Sequence, residues 1–337
     1  MAVAAQSKQE RLTTIVCESA LRPDSLAAEV RSGLAANPKS LPCRFFYDAE
    51  GSRLFEAICE LPEYYLTRAG MEIMEKHSAE VVSQFPRGAT LIELGSGSSA
   101  KTRHLLGRFL RRDGRLLYIP VDISRSMLEE SAHALLDEFA GLEIMAVACE
   151  YQEAMAHLEK DFGLPKLILW LGSNIGNLHR GEAVEFLGCL RTLMTREDRL
   201  LVGIDLRKDR HMLEAAYDDA QGVTARFNKN ILARINRELG GEFDLTQFHH
   251  RARYDEVAGR VEMYLESVAA QTVRIAALDL AAPFEAGEMI HTENSYKYSP
   301  AEIEETAAKA RLRVASPWFD RERKFSSNLF TISEAGS

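Results

Sequence analysis

A glycine-rich loop between a buried strand and a helix constrains the fold of this chain most strongly. The apolar run LIEL at 91–94 leads into GSGSSA at 95–100, and a second apolar strand ends at Asp122. Glycines allow a tight turn and close approach to a ligand, and a helix start offers free N–H groups to an anion. An acidic residue one strand later is placed to accept hydrogen bonds from ribose hydroxyls. The pattern therefore predicts a cofactor that contains adenosine.

Short apolar segments alternate with amphipathic ones between residues 70 and 207, which predicts a parallel sheet covered on both faces. The predicted strands are 90–95, 116–122, 144–149, 166–172 and 199–206. The predicted helices are 71–84, 101–111, 124–139, 152–161 and 180–195. In such a sheet, ligands bind at the carboxyl ends of the strands.

The alternation stops near residue 207, so a second unit interrupts the first between about 208 and 295. The pattern predicts helix over 209–239 and two strands, 260–268 and 271–278, joined by a tight turn. A helix at 300–311 and a strand at 328–332 follow. Upstream, we expect a frayed segment at 1–20, a helix at 25–35 and a loop across 61–68.

Size and charge exclude several classes of protein. A length of 337 residues suits two domains, and a net charge of −9 argues against a nucleic-acid binder. The basic cluster at 108–115 fits a solvated helix end. No apolar run reaches the ~20 residues that span a bilayer, and residues 1–11 lack the apolar core of a signal peptide. We therefore expect a cytoplasmic monomer that acts on a small molecule.

The cysteines and histidines predict no metal site. Five cysteines are scattered without a CxxC spacing, which fits reduced thiols in a cytoplasm. His249 and His250 are the one adjacent pair among nine histidines. Adjacent residues do not share a face of a helix or strand, so this pair does not form a ligand set.

The loop alone leaves two cofactors open. Ala100 completes the G-x-G-x-x-G/A pattern of nicotinamide-binding loops. Glu93 precedes the loop, as in the Glu-x-Gly-x-Gly loops that bind S-adenosylmethionine, whose ammonium end favours a nearby carboxylate. Glu150 and Tyr151 end the third strand, where they could accept from the adenine amino group and stack on its ring. The pattern favours methyl transfer, with hydride transfer as the alternative.

Longer motifs add a family resemblance over residues 25–335. The chain resembles the histidine Nα-methyltransferases of ergothioneine biosynthesis at residues 46–68, 93–103, 171–177, 215–224 and 292–295. The resemblance implies S-adenosylmethionine-dependent trimethylation of the α-amino group of L-histidine to hercynine. It also implies an α/β fold, a Rossmann-like class I methyltransferase sheet with helices on both faces, interrupted by a smaller α+β substrate-binding domain. The expected bounds are 1–20 for a disordered N-terminus, 21–67 with 208–295 for the substrate-binding domain, and 68–207 with 296–337 for the methyltransferase domain.

The resemblance assigns roles residue by residue. The cofactor would be held by Gly95, Lys101, Asp122, Glu150 and Tyr151. The substrate carboxylate would be held by Tyr64, Asn177 and Tyr217. The imidazole would be held by Glu293 and Ser295, with Met263 packed near the ring. Tyr47, the candidate catalytic residue, and Phe55 would lie beside the amine. The chain departs from the family at Glu150, where Asp is usual, at Asn174, where Thr is common, and at Gly70, where Glu is common.

These residue types suit the chemistry of amine methylation. The α-ammonium must lose a proton, and the positive sulfonium lowers its pKa, so a tyrosine hydroxyl or water suffices as a relay. The quaternary product suits aromatic faces through cation–π contact. The competing hypotheses are a methyltransferase for another amine such as an indole amino acid, a nicotinamide-dependent oxidoreductase, and a non-catalytic cofactor sensor. Taken by residue type alone, Glu293 and Ser295 are better explained as residues that brace a turn, and the family resemblance reverses that preference.

Overall fold

The structure is a computed structural model that describes residues 8–17, 24–86, 88–158 and 162–333. The chain divides into two compact units. The larger unit comprises residues 1–21, 68–206 and 298–337, and the smaller unit comprises residues 22–67 and 207–297. Apart from the first twenty residues, the boundary between 67 and 68 coincides with the expected one, and the other expected bounds differ from these by one or two positions.

The larger unit is built on an eight-stranded sheet. Its strands are β1 (Leu12–Val16), β3 (Thr90–Leu94), β4 (Leu116–Asp122), β5 (Leu142–Ala148), β6 (Lys166–Trp170), β7 (Arg199–Asp205), β13 (Leu312–Phe319) and β14 (Phe325–Ile332). Their order across the sheet is β1-β5-β4-β3-β6-β7-β14-β13. Strands β1 and β3–β7 pair in parallel, whereas β14 runs antiparallel to β7 and to β13. Every residue of β3 and β6 is buried, as expected for central strands covered on both faces.

Helices flank this sheet. They are α3 (Tyr65–Ser83), α4 (Arg103–Asp113), α5 (Arg125–Glu138), α6 (Tyr151–Leu158), α7 (Arg180–Thr192) and α10 (Pro300–Lys309). Helix α4 ends at Gly114, whose φ of 75° provides the left-handed cap that a side chain disfavours. Helix α3 corrects one prediction, because residues 65–68 begin the helix and do not form a loop.

Within the segment expected to be disordered, residues 8–17 are described and form a 3₁₀ turn and a strand, whereas residues 1–7 and 18–20 lie outside the described ranges. Strand β1 pairs in parallel with β5 along its full length, from Leu12 opposite Ile144 to Val16 opposite Ala148. This register brings Cys17 and Cys149 together, and the two form a disulfide. The prediction that all five cysteines are reduced is therefore wrong for this pair, because pairing between strands distant in the sequence leaves no local spacing signal.

The same corner holds the one group of metal-ligating side chains found among the described residues. His157 Nε2 lies 3.7 Å from Cys17 Sγ, and the ligand atoms of Cys17, Cys149 and His157 lie within 4.8 Å of one another. Metal-binding cysteines coordinate as thiolates, and these two sulfurs are joined to each other. This group is therefore a disulfide with a histidine beside it.

The smaller unit combines four helices with two sheets, counting only the described part of the chain. Its helices are α1 (Asp24–Ala35), α2 (Ala49–Cys59), α8 (Arg210–Tyr217) and α9 (Val223–Leu239). Its strands are β2 (Lys39–Ser40), β8 (Phe248–Asp255), β9 (Arg260–Ser267), β10 (Gln271–Ile275), β11 (Leu280–Phe284) and β12 (Met289–Tyr296). One sheet has the order β2-β12-β9-β8, and β10 with β11 forms the other.

Two predictions for the smaller unit are wrong in detail. Strands β9 and β10 are not hairpin partners, because β9 pairs with β8 and β12 while β10 pairs with β11. The helix predicted over 209–239 is two helices, because α8 ends at Tyr217 and α9 begins at Val223. At the start of α9, the Asp219 carboxylate accepts from the Val223 and Thr224 N–H groups at 2.9 and 2.7 Å.

No helix within the described ranges is both long enough and apolar enough to pass through a bilayer.

Candidate active site

The glycine-rich loop lies where the strand order of the larger unit reverses. From β3 the chain adds β4 and β5 on one side and then returns to place β6 on the other side of β3. In open α/β sheets, the carboxyl ends of the two strands at such a reversal form a ligand-binding crevice. Gly95 follows β3 and Asn174 follows β6 at this point.

Gly95 allows the side chains of Tyr151 and Asn174 to lie close to the loop backbone, which a residue with a Cβ would prevent. Its φ is 69°, and a Cβ added there would lie 2.5 Å from the Tyr151 hydroxyl and 2.6 Å from Asn174 Nδ2. Asn174 Nδ2 donates to that same hydroxyl at 3.3 Å. The loop backbone, the side chain that follows β6 and the first residue of α6 thus converge at one place.

Asp122 connects the loop to the end of β4. One carboxylate oxygen accepts from the Gly97 N–H at 2.9 Å, and the other accepts from the Ser124 N–H at 2.9 Å. Burial raises the pKa of Asp122, and these backbone N–H groups oppose that shift. Because each carboxylate oxygen has two acceptor positions, both retain capacity for a further donor.

Glu93 supports the loop from beneath. Its buried carboxyl accepts from the Thr102 hydroxyl at 2.8 Å and also from the Tyr118 hydroxyl, which contacts Ser99 Oγ at 2.8 Å. Burial raises the pKa of Glu93 to about 7. In this structure the carboxyl therefore braces the loop through protein hydroxyls, which sequence reasoning did not anticipate when it related Glu93 to an ammonium group.

The other predicted cofactor residues lie in the same unit. Glu150 and Tyr151 lie just beyond the end of β5, and the Tyr151 ring packs against Phe186 with centroids 5.7 Å apart. Lys101 precedes α4, and its side chain passes over Gly70, where an added Cβ would lie 3.0 Å from Lys101 Cε. The small residue at position 70 therefore makes room for the lysine stem.

The smaller unit contains a cluster of aromatic rings. The centroids of Tyr47 and Phe55 are 5.7 Å apart, those of Phe55 and Tyr64 are 6.1 Å apart, and those of Tyr64 and Tyr217 are 6.3 Å apart. Phe227 of α9 joins Tyr47 at 5.5 Å and Phe55 at 5.9 Å. Burial holds the pKa of Tyr64 well above its usual value of 10.0, so this hydroxyl stays protonated. The cluster joins residues from both segments of the unit.

Strand β12 carries the polar residues of this unit. Glu293 lies opposite Met263 of β9 in the antiparallel register, and Ser295, two residues on, lies on the same face of the strand. Burial raises the pKa of Glu293 to about 7, with the charge of Lys297 opposing the shift. Ser295 Oγ lies 2.7 Å from the Tyr217 hydroxyl.

Tyr217 is held at the end of α8 by a buried histidine. His250 Nε2 lies 2.8 Å from the Tyr217 carbonyl oxygen, and Asn228 Nδ2 lies 2.8 Å from His250 Nδ1. Donation by Asn228 leaves the proton on Nε2, so neutral His250 donates to the carbonyl. Burial lowers the pKa of His250, which favours this neutral form.

Comparison with known proteins identifies the family. Residues 26–332 match the model of a family described as "Histidine-specific methyltransferase, SAM-dependent". The chain belongs to this family. The fold of the methyltransferase agrees, because its mostly parallel sheet is flanked by helices and carries the glycine-rich loop at the reversal of strand order.

Curated relatives resemble the methyltransferase over most of their length. Histidine N-alpha-methyltransferase of Mycobacterium tuberculosis (strain CDC 1551 / Oshkosh) is 44% identical over 305 residues, covering 90% of this chain and 94% of the relative. The protein of the same name from Mycolicibacterium smegmatis is 45% identical over 313 residues, covering 91% and 94%. An L-tryptophan methyltransferase of Psilocybe serbica is 27% identical over 329 residues, covering 89% and 91%.

The methyltransferase family depends on S-adenosylmethionine, and the residues of the larger unit fit that cofactor. Gly95 lets the loop backbone approach Tyr151 and Asn174 closely, where a Cβ would collide with both. The Asp122 carboxylate combines a fixed position with spare acceptor capacity. The sulfonium cofactor has no pyrophosphate, so the loop does not need the third glycine that nicotinamide-binding loops use. The resemblance stated from the sequence is thereby confirmed at the level of family and cofactor.

The structure distributes the predicted site residues between the two units. All the predicted cofactor residues lie in the larger unit, as does Asn177, which ends a 3₁₀ turn at Asn174–Asn177. The remaining predicted residues lie in the smaller unit, namely Tyr47, Phe55, Tyr64, Tyr217, Met263, Glu293 and Ser295.

Sequence reasoning missed two residues of the methyltransferase that lie among the predicted ones. Phe227 is 3% exposed and packs into the aromatic cluster, yet along α9 it reads as an ordinary apolar position. Lys297 is 0% exposed and contacts both Tyr217 and Ser295. The period-two spacing of Glu293, Ser295 and Lys297 was a signal that could have identified the lysine.

Proposed function

We propose that this methyltransferase transfers three methyl groups in succession to the α-amino nitrogen of L-histidine and releases hercynine, the first step of ergothioneine biosynthesis. The observation that carries the proposal is the pairing of Glu293 and Ser295 on one face of β12, beside the Tyr217 hydroxyl and opposite Met263. An imidazole has two ring nitrogens that need two polar partners and an apolar ring that needs a packing surface.

In this proposal the larger unit holds the donor. Gly95 gives the ligand access to the loop backbone, Asp122 accepts from the ribose hydroxyls, and Glu150 with Tyr151 receives the adenine. Lys101 lies at the start of the helix that follows the loop. Bound S-adenosylmethionine supplies an electrophilic methyl carbon attached to a positively charged sulfur.

The smaller unit would read the amino acid. Glu293 accepts from one imidazole N–H, and the Ser295 hydroxyl serves the other ring nitrogen. Tyr64 and Tyr217 hold the carboxylate. A site built for such polar groups rejects ligands that leave them unpaired, by factors that reach ~10⁴.

The chemistry needs a free lone pair on the α-amino nitrogen. A nearby positive charge lowers the pKa of the α-ammonium, since like charges disfavour the charged form. We propose that the Tyr47 hydroxyl, directly or through water, receives this proton and passes it to solvent. Alignment of nitrogen, methyl carbon and sulfur then provides most of the rate enhancement.

Later rounds place growing numbers of methyl groups beside the aromatic rings. A quaternary ammonium donates no hydrogen bond, so its stabilisation depends on contact with aromatic faces, worth about 0.5–2 kcal/mol. Tyr47, Phe55 and Tyr64 supply such faces, with ring centroids 5.7–6.1 Å apart along the series.

Mass spectrometry tests the proposal directly. Purified protein is incubated with S-adenosylmethionine and L-histidine, and we expect products that carry one, two and then three methyl groups. L-Tryptophan and tryptamine in parallel reactions test the alternative that another amine is the substrate. Methylation of the indole compounds with none of histidine would overturn the proposal.

A further inference from the structure

Lys297 is a buried cation among the proposed substrate residues. The side chain is 0% exposed, and its ammonium donates to the Tyr217 hydroxyl at 2.8 Å and to Ser295 Oγ at 2.9 Å. The same nitrogen lies 4.6 Å from the centre of the Tyr217 ring. Lysine is almost never fully buried unless partners compensate its charge. These contacts show that the two hydroxyls and the aromatic ring are arranged around the ammonium.

The position of Lys297 follows from strand periodicity. Glu293, Ser295 and Lys297 are spaced by two residues, which directs them to the same side of the chain at the end of β12. The Lys297 N–H donates to the Gly259 carbonyl at 2.8 Å, which fixes the backbone there. Lys297 also acts on Glu293 through space, because its positive charge favours the carboxylate.

The number of donors and acceptors on each side chain determines which groups donate and which accept among Lys297, Tyr217 and Ser295. An ammonium has three donors and no acceptor, so the oxygens of Tyr217 and Ser295 must both accept from Lys297. Their separation of 2.7 Å is that of a hydrogen bond, so one hydroxyl proton lies between them. Neither hydroxyl proton can be given to Lys297, so both oxygens act as donors toward other acceptors. A ligand with two acceptors would draw both protons outward, while both oxygens keep their bonds to Lys297.

We propose that Lys297 is a positioning and specificity-determining residue that makes Tyr217 and Ser295 hydrogen-bond donors toward an α-amino acid. The two acceptors are the substrate carboxylate and one imidazole nitrogen, an assignment that rests on the proposed function. The buried positive charge favours a substrate that carries a carboxylate. Lys297 therefore discriminates the amino acid from the corresponding amine.

Calorimetry with two ligands tests this role. L-Histidine and histamine, which lacks the carboxylate, are titrated into wild-type and Lys297→Met proteins in the presence of saturating S-adenosylhomocysteine. We expect Lys297→Met to weaken histidine binding about 10- to 100-fold, because a charge-assisted network is lost. Histamine keeps the imidazole contact with Ser295 but has no carboxylate, so its affinity should fall by a smaller factor and the preference for histidine over histamine should decrease. A preference that stays at the wild-type value would overturn the proposal.

A double-mutant cycle separates positioning from general damage. If Lys297 acts through the Tyr217 hydroxyl, the losses in histidine affinity for Lys297→Met and Tyr217→Phe are not additive in the double variant. Additive losses would contradict the proposed coupling. Binding of S-adenosylhomocysteine reports whether each variant is folded. If Lys297→Met does not fold, Lys297→Gln replaces it, because glutamine keeps an N–H donor and lacks the charge. The ratio of histidine affinity to histamine affinity then tests the proposal in the same way.

The failure of this inference is distinguishable from failure of the proposed function. Wild-type protein that neither binds nor methylates L-histidine would overturn the proposed function before any variant is made. Wild-type protein that methylates histidine, together with a Lys297→Met variant of unchanged ligand preference, would overturn only the role of Lys297.

Discussion

Glu293 changes its charge near neutral pH because burial raises the pKa of its carboxyl to about 7. A free glutamate ionises near pH 4.3, so the folded chain holds this proton over a wider range than the unfolded chain. The ionised form is the stronger acceptor for an imidazole N–H, since charge-assisted hydrogen bonds are the stronger ones. Substrate recognition at this residue should therefore improve as the pH rises through about 7.

This gives a prediction for the pH dependence of histidine binding. Between pH 6 and 8, the affinity of wild-type protein for histidine should increase, with the midpoint of the increase near pH 7. Glu293→Gln should lack this increase, because the amide does not titrate. Isothermal titration of both proteins across this range measures the difference. The variant serves as its own control for titration of the ligand, which is common to both. Parallel pH profiles would exclude Glu293 as the group that titrates.

Gly95 is the residue of the cofactor loop whose replacement should be most harmful. Gly95→Ala combines a φ of 69° with a Cβ placed 2.5 Å from the Tyr151 hydroxyl. Such strain costs about 1–3 kcal/mol, so we expect S-adenosylhomocysteine to bind roughly 5- to 150-fold more weakly by calorimetry. Gly181→Ala in α7 is the matched control, since nothing lies within 4 Å of its added Cβ. Equal affinities for the two variants would contradict a role for Gly95 in cofactor binding.

At the scale of elements, the parallel strands and their helices were predictable because each carries a local signal. Strand β3 carries the apolar residues Leu91, Ile92 and Leu94, and the helix predicted over 124–139 corresponds closely to α5, Arg125–Glu138. Strand β13 was missed because it contains Pro317, a residue type that argues against a strand in the sequence. The register of its pairing with β14 shifts between Val314 and Ser316, and such a shift cannot be predicted from the periodicity of the sequence.

Long-range pairing set the limit of prediction. Strands β9 and β10 read as a hairpin because they are adjacent in sequence, yet β9 pairs with β12, more than twenty residues downstream. The candidate site shows the same division. The loop motif made Gly95 and Asp122 candidates and the family resemblance made Glu293 one, whereas the contact of Lys297 with Tyr217 joins residues 80 positions apart and required the fold.

The disulfide carries a prediction about the edge strand. The bond between Cys17 and Cys149 spans 132 residues and fastens β1 beside β5. A link over so long a segment restricts the unfolded chain, and its loss typically costs about 2–5 kcal/mol. Reductant should therefore lower the midpoint of guanidinium unfolding for wild-type protein and leave Cys17→Ser unaffected.

The exposed, unpaired Cys189 offers the control for this measurement. Cys189→Ser should respond to reductant as wild-type protein does, because it leaves the disulfide intact. Alkylation of the folded, unreduced protein followed by mass spectrometry counts the free thiols. Labelling of Cys17 and Cys149 without prior reduction would contradict the bond.

At the scale of the whole molecule, the two units divide the proposed ligands between them. The larger unit contains Asp122 and every other proposed cofactor residue, and the smaller unit contains Glu293, Ser295 and the aromatic cluster. Asn177 is the exception among the proposed substrate residues, since it belongs to the larger unit. The division implies that a substitution in one unit should affect mainly one ligand.

A pair of variants tests this separation. Glu293→Ala should weaken histidine binding at least tenfold and leave S-adenosylhomocysteine within about twofold of wild type, because it removes a charged hydrogen-bond partner from one site only. Asp122→Asn should weaken the binding of S-adenosylhomocysteine by a comparable factor. The Asp122 carboxylate accepts from the Gly97 and Ser124 N–H groups, whereas an amide would turn its own N–H₂ group toward one of these two donors. Histidine is titrated at saturating S-adenosylhomocysteine in both proteins, so that loss of one ligand is not mistaken for loss of the other. Unchanged histidine affinity in Glu293→Ala would remove this residue from the substrate site, and with it the proposed basis for selecting an imidazole.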